Sequence, residues 1–446
     1  MNPLSNIPAP NDELILVTKE ELIAPTPQSG RDNRNLLETL GPGLITGAAD
    51  DDPSGIATYS QAGAQFGLGQ LWAILFTYPL MAVIQEISAR IGRVSGRGIA
   101  GNMRQYYPKS VMYFVVSVML AANILNLGAD IGAMGSAVNL IFGGPALIYA
   151  VVLAGISLLL QVFVPYRRYV NVLKWLTISL FAYVAIIFFV HIDWLAVAKA
   201  TLIPHIQLSA AYLTTLIAVF GTTISPYLFF WQASQEVEEE RKDPMEHPLK
   251  HDEAGAPAAF RRIRLDTYSG MAYSNLVSFF IILTAAVTLH VHGKTDIQTA
   301  ADAAEALRPL AGPFTFYLFA LGIIGTALLA IPVLGGSAAY GVAEMFGWKI
   351  GLGKKPLRAK PFYAVIAAAT VIGCAINFTH IDPIKALYWS AVLNGIVSVP
   401  IMLVMMFMST NERVMGKFVI SKGMRIVGWV ATIAMAAAVV GMFMTL

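Results

Sequence analysis

The sequence predicts an all-α integral membrane protein, a bundle of about eleven transmembrane helices. Apolar residues make up 56% of the 446 and charged residues only 13%, where an ordinary soluble domain carries about 25% charge. The apolar residues fall in repeated runs of about 20, the length that crosses hydrocarbon as a helix. Hydrocarbon offers no water to an open backbone, so runs of that length must be helical. The net charge of +3 sums loops on two faces of a membrane and gives no reason to expect a nucleic-acid partner. Cys374, the single cysteine, lies in an apolar run, which excludes a disulfide framework and a cysteine metal motif.

The first 36 residues are polar, with Pro8, Pro10, Pro25 and Pro27. They lack the basic start and apolar centre of a signal peptide and read as a disordered cytoplasmic tail. A single transmembrane domain over 37–446 follows. Its expected spans are 38–66, 69–92, 110–140, 144–164, 169–191, 207–236, 262–291, 312–343, 360–379, 383–409 and 425–445. Alternate connections hold 22 Lys and Arg, the others only 4. The positive-inside rule then places the N-terminus in the cytoplasm and the C-terminus outside, in a plasma (inner) membrane. The charged loop 237–258 reads as mobile, and the run Glu236 to Glu240 as a solvated face, with a cation funnel as the lesser alternative.

Two spans are interrupted. The first holds Gly41-Pro42-Gly43 and then Asp50-Asp51-Asp52-Pro53-Ser54-Gly55. At 1.5 Å per residue from Leu37, Asp52 lies about 22 Å in, well inside a core roughly 30 Å thick. A charge there is costly unless it meets a watery cavity or a partner. Pro53 removes a backbone donor, so the helix is expected to unwind. Free carbonyls, the negative end of the first half-helix and the carboxylates would together make a cation site. The plainer alternative is a proline kink whose acids pair with bases elsewhere. The sixth span repeats the pattern at Gly221-Thr222-Thr223-Ile224-Ser225-Pro226-Tyr227. A mid-membrane Ser-Pro alone is more often a kink than a ligand.

The pairing carries the weight. Interruptions in the first helix of two consecutive five-helix units mark an inverted-repeat transporter with its site between them. The repeats would cover about 38–191 and 207–409, leaving an eleventh helix outside both. The candidate metal residues are Asp52, Asp51, Ser54, Gly55, Thr222 and Ser225, with Asp130, Gln232 and Asp50 as candidates for a proton or polar relay.

These stretches also resemble the Nramp family of divalent-metal transporters. Gly41-Pro42-Gly43, Asp52-Pro53, Ile56-Ala57-Thr58 and the run Gln61 to Gly67 with Leu71-Trp72 are similar to its first helix and exit. Asp266, Gly270-Met271 and Ser274-Asn275 are similar to its seventh helix. The resemblance implies a LeuT-like fold of 5+5 helices, alternating access, no cofactor, and Asp52 as the main ligand. Departures are specific. The family's Asp-Pro-Gly-Asn reads Asp52-Pro53-Ser54-Gly55, and its Met-Pro-His-Asn reads Ser225-Pro226-Tyr227-Leu228. A second family His is Gln232. Asp130 matches a family acid tied to proton movement, but its Glu partner is Ala133, and span 360–379 lacks a basic pair. A thioether favours softer transition metals, so replacing it by a hydroxyl favours a hard ion. Magnesium keeps its waters and needs few carboxylates, and Gly55 and Ser225 leave room for them. The expectation is therefore magnesium first, manganese second, carried by a monomer with doubtful proton coupling.

Remaining polar residues have plainer readings. Glu86 is expected to pair with Arg90, and Asn123, Asn126 and Asn394 to join helices. Lys174 would snorkel or neutralise Asp50 or Asp51. His290 and His292 sit at the outer interface, and Trp72, Trp175, Trp194 and Trp389 fit aromatic belts. The main rival function is a sodium-coupled carrier of an organic solute, although three aspartates would repel a substrate carboxylate. An enzyme is not expected, because an intramembrane aspartyl protease needs a Gly-x-Gly-Asp motif that the chain lacks. A channel is disfavoured by breaks in both repeats.

Overall fold

Two prolines decide where the central helices restart. In a computed structural model, which describes residues 46–47, 49–164, 179–242, 246–353, 356–379 and 381–445, residues 49 and 50 are helical, Asp51 and Asp52 are not, and α1 runs Pro53–Phe66 with Pro53 at its first turn. The sixth span behaves alike. Helix α6 (Ala210–Thr223) stops, Ile224 and Ser225 leave the helix, and α7 (Pro226–Glu240) begins at Pro226. Proline is tolerated at a first turn because its missing N–H is one that the helix leaves unpaired.

The other long helices are α2 (Leu71–Ser95), α3 (Ile99–Tyr106), α4 (Lys109–Phe142), α5 (Ala146–Phe163), α8 (Ala256–Thr288), α9 (Thr315–Phe346), α10 (Lys360–Ile376), α11 (Pro383–Ser409) and α12 (Lys422–Thr445). No strand occurs among the described residues. Eight helical stretches among them are long and apolar enough to cross a membrane, and α10 is a shorter apolar helix. Most expected spans match to within three residues, but α8 starts six residues earlier than its expected span. Residues 169–178 of the expected fifth span, with Lys174 and Trp175, and the whole 1–36 tail lie outside the described residues. Pattern reading missed α3 and the helix Trp194–Leu202, both too short to cross a membrane.

The broken helices lie at the centre. The first half-helix crosses α8 so closely that a Cβ on Gly47 would stand 2.2 Å from the Gly270 carbonyl oxygen. Helix α6 crosses α11 at Gly221, where a Cβ would stand 2.1 Å from the Ala391 oxygen. Gly221→Val should therefore lower the melting temperature of the purified protein. Overpacking of this kind costs about 1–3 kcal/mol. Gly155, on α5, has nothing within 4 Å of its built Cβ, and Gly155→Val should melt close to wild type. Equal shifts for the two would contradict the close crossing.

One end of the bundle is closed by ion pairs that the sequence misplaced. Glu236 and Glu240 are buried, not solvated. Glu236 pairs with Arg262, and Arg93 reaches Glu246 at 2.6 Å and Glu240 at 3.8 Å. Glu238 accepts from the Leu352 N–H at 2.8 Å and from the Tyr340 hydroxyl. Part of the loop expected to be mobile is pinned. Leu249 and Lys250 donate backbone N–H groups to Arg93 and Val94 oxygens at 3.2 and 3.1 Å. Glu86 meets Arg90 at 2.6 Å, as expected, and also Arg264 at 3.4 Å. Trp194 and Trp389 are exposed as belt residues should be. Trp72 is buried instead, with its Nε1 donating to the Tyr212 hydroxyl at 3.0 Å.

Candidate functional site

The two breaks face each other. The Tyr227 hydroxyl, on the first turn of α7, donates to the Ala49 carbonyl at 3.2 Å and lies 3.4 Å from Asp52 Oδ2. Thr46 on the first half-helix donates to Gln232 Oε1 on α7 at 2.5 Å.

Asp52 is the N-cap of α1. Its Oδ1 accepts the Gly55 N–H at 2.9 Å and the Ser54 hydroxyl at 2.5 Å. A carboxylate at a helix N-terminus is stabilised by the unpaired N–H groups and the positive dipole end. The sequence reading had credited only the opposite, negative end of the first half-helix. Oδ2 turns across the gap instead, where its firm partner is Asn126 Nδ2 at 2.9 Å on α4. Asn126 Oδ1 in turn accepts Ser390 of α11 at 2.7 Å. Thus one oxygen of Asp52 is structural and the other points at the space between α1, α4, α7 and α11.

Asp50 and Asp51 face elsewhere. The Ser274 hydroxyl on α8 lies 2.6 Å from Asp50 Oδ2 and 3.2 Å from Asp51 Oδ1. Asp50 Oδ1 and Asp51 Oδ2 are buried and accept no hydrogen bond among the described residues. Among the described residues no Lys or Arg forms an ion pair with Asp50, Asp51 or Asp52. The chain leaves the helix after Asp50, and the turn of this unwound segment splits three neighbouring acids between two walls.

The second break is finished differently. Ser225 does not cap α7; its hydroxyl turns back to the Thr222 and Gly221 carbonyls at 2.7 and 3.1 Å. Two carbonyls that the sequence reading left loose are therefore covered. Ser225 still lies beside Asp50 and keeps oxygen lone pairs for a cation. Thr222 Oγ1 donates to the Tyr59 hydroxyl at 2.9 Å and tethers α6 to α1. Gly55 offers no side-chain ligand, and the space beside it is not open for water. A Cβ there would already be 3.2 Å from the Tyr59 ring. Asp130 is fully buried on α4, with both carboxylate oxygens unpartnered and Asp52 as its charged neighbour. Gln232 is held by Thr46, and its Nε2 has no partner among the described residues.

Asn126, Tyr227, Tyr59 and Ser274 belong to the site although the sequence did not nominate them. Asn126 had been read as helix glue, which its bond to Ser390 also makes it. Asn123 does act as glue, donating to Ser337 at 2.7 Å. No group of three His, Cys, Asp or Glu able to hold a metal occurs among the described residues. The site offers oxygens, from carboxylates, hydroxyls and an amide.

A cavity of about 480 Å³ opens at the end opposite the ion-paired face, lined by Ala57, Gln61, Thr214, Asp296, Tyr388 and Trp389 among others. Asp52 lies five residues deeper than Ala57 along the first span, about 7.5 Å at 1.5 Å per residue. Tyr59, two residues beyond Ala57, is buried, and its bond to Thr222 joins α1 to α6.

Residues 43–445 match the profile of the Nramp family, natural resistance-associated macrophage protein-like. The chain belongs to the Nramp family. It is 28% identical over 420 residues to the divalent metal cation transporter MntH of Deinococcus radiodurans, covering 91% of this chain and 89% of that one. Its fold is similar to that of the Eremococcus coleocola manganese transporter, crystallised with an aromatic bis-isothiourea substituted compound. The TM-score is 0.70 at 16% identity, over 93% of this chain and 87% of that one. It is also similar to Mhp1, a nucleobase-cation-symport-1 family transporter in a closed conformation, with a TM-score of 0.53 at 12% identity over 91% and 93% of the two chains. The Nramp chain described here thus has the LeuT-like inverted-repeat fold that its paired breaks predict. Nramp proteins are multi-pass membrane transporters, not enzymes.

Proposed function

We propose that this Nramp protein carries a hard divalent cation, magnesium before manganese, across the plasma membrane by alternating access. The observation that supports this reading is Asp52 Oδ2, turned into a buried gap between two interrupted helices and met by amide and hydroxyl groups rather than a base. The relatives named above are a divalent metal cation transporter and a manganese transporter.

The donor chemistry favours the harder ion. Every candidate ligand named around the breaks is an oxygen, and the positions where the family motif has a thioether and an imidazole hold Ser225 and Gln232. Oxygen donors suit magnesium and manganese over softer metals. Two opposed carboxylate walls and few direct ligands suit an ion that keeps part of its water shell, as magnesium does. The ion enters through the cavity, passes the Tyr59–Thr222 tether and settles at Asp52 Oδ2. Asp51, Ser54 and Ser225 complete its surroundings. Release follows when the ion pairs at Glu236, Glu240 and Arg93 part.

Asp130 and Asp50 are the remaining relay candidates, because Gln232 is an amide and does not titrate. With so few proton carriers, transport runs as a uniport driven by membrane potential, in which each charge gains about 2.3 kcal/mol per 100 mV. The protein works as a monomer with its N-terminus in the cytoplasm and its C-terminus outside, as the basic loops direct. Proteoliposomes carrying an internal magnesium-sensitive dye test the reading. Saturable magnesium uptake, stimulated by an inside-negative potential and inhibited by manganese, is expected. Uptake of an amino acid with sodium, and none of magnesium, would favour the organic-solute reading.

A further inference from the structure

We infer that a basic pocket at the ion-paired face binds the phosphate of an anionic phospholipid headgroup. The pocket has a volume of about 230 Å³ and is lined by Arg97, Arg104, Arg241, Lys349, Glu344 and Trp348, among others. Its four cations come from four elements. Arg97 follows α2, Arg104 lies on α3, Arg241 ends α7, and Lys349 follows α9. Among the described residues none of the four forms an ion pair with a carboxylate, whereas Arg90, Arg93, Arg262 and Arg264 on the same face each do. Arg241 makes only a 3.5 Å contact with the Gly96 carbonyl.

The acid that lines the pocket is already engaged. Glu344 accepts the Gly98 and Gly101 N–H groups at 3.2 and 2.9 Å and the Ser234 hydroxyl at 3.3 Å. It therefore ties α3, α7 and α9 together at the pocket, with both of its oxygens engaged by backbone and hydroxyl donors. Guanidinium forks match phosphate oxygens in pairs, and several converging on one small pocket are a phosphate-binding arrangement.

Two observations favour a lipid over a soluble phosphate. The pocket opens where α2, α7 and α9 end, on the face that the positive-inside bias assigns to the cytoplasm, where anionic headgroups attract basic residues. Beside it Trp348 stacks on Phe346, with ring centroids 5.0 Å apart and an interplanar angle of 22°, and both rings are exposed. An exposed aromatic pair at that level anchors in the headgroup region. A phosphate seated there bridges α3, α7 and α9, the elements that close this face. Binding of an anionic lipid therefore favours the closed face. The binding claim does not depend on which ion is carried.

Native mass spectrometry of the purified full chain tests it. The probes are phosphatidylglycerol, phosphatidylcholine and inorganic phosphate, against wild type, R104Q and the triple variant R97Q/R104Q/R241Q. The three arginines are exposed, and R104Q removes a single one of them. Wild type should retain phosphatidylglycerol, R104Q should retain it several-fold less, and the triple variant about tenfold less. Phosphatidylcholine should be retained equally by all three. A control, R413Q/K417Q, removes two charges from loops on the same face and should change nothing. Equal loss in this control would mean diffuse charge rather than a pocket and would overturn the proposal. So would unchanged retention by R104Q and the triple variant, or displacement of the lipid by equimolar inorganic phosphate.

Discussion

Asp52→Ala should reduce saturable metal uptake to background, a loss of more than about 100-fold, while the protein still inserts and elutes as a folded species. Changes that merely orient a ligand cost 10–100-fold in affinity, and removal of the one carboxylate oxygen turned into the gap should exceed that. The fold should survive because Asp52 contributes to it as an N-cap, through Gly55 and Ser54. Loss of a cap costs roughly 0.5–2 kcal/mol. Asp52→Asn separates the two roles. It keeps an oxygen to cap α1 but not the charge, so it should melt near wild type and still fail to carry metal. Uptake by Asp52→Asn at half the wild-type rate or more would mean that the charge is dispensable.

Ser225→Met should shift preference toward manganese over magnesium by about tenfold, equivalent to about 1.4 kcal/mol. The substitution adds a soft, polarisable donor at the second break. It also removes the hydroxyl that covers the Thr222 and Gly221 carbonyls, which lowers stability whatever the ion. Ser225→Ala is therefore the necessary comparison. It loses the same two hydrogen bonds without gaining sulfur, and it should leave the magnesium-to-manganese ratio near wild type. Competition uptake over a concentration series reads both. An equal ratio in wild type, Ser225→Met and Ser225→Ala would remove Ser225 from the ion's surroundings.

The breaks were legible because proline and acid act locally. Asp52-Pro53 and Ser225-Pro226 interrupt helices that are otherwise apolar, and no tertiary contact is needed to see it. Which wall each neighbouring acid meets was not legible. Asp50, Asp51 and Asp52 are consecutive, and their division between Ser274 on one side and Asn126 on the other depends on how the unwound segment turns. Asn126, Tyr227 and Ser274 were hidden for a related reason. Each is a single polar residue in an apolar helix, and only the rotation of that helix decides whether it faces the gap or a neighbour. The misreading of Glu236 and Glu240 has another source. Charges near a loop read as solvated unless their partners are known, and Arg93 and Arg262 lie far along the chain from one or both. Trp72 failed likewise, since its partner Tyr212 is 140 residues away. The proposal of a harder ion, by contrast, rests on Ser225 and Gln232, which stand where the family motif has Met and His.

The central claim is that a positive ion sits at the break in the first helix against Asp52. Manganese scatters anomalously and can stand in for magnesium, so an anomalous difference map from crystals soaked in manganese locates it directly. The account predicts one strong peak between the two breaks, about 2.2 Å from Asp52 Oδ2 if bound directly and about 4 Å if through a retained water. A saturating soak that left this gap empty, with Asp52 closed against a lysine or arginine, would contradict it.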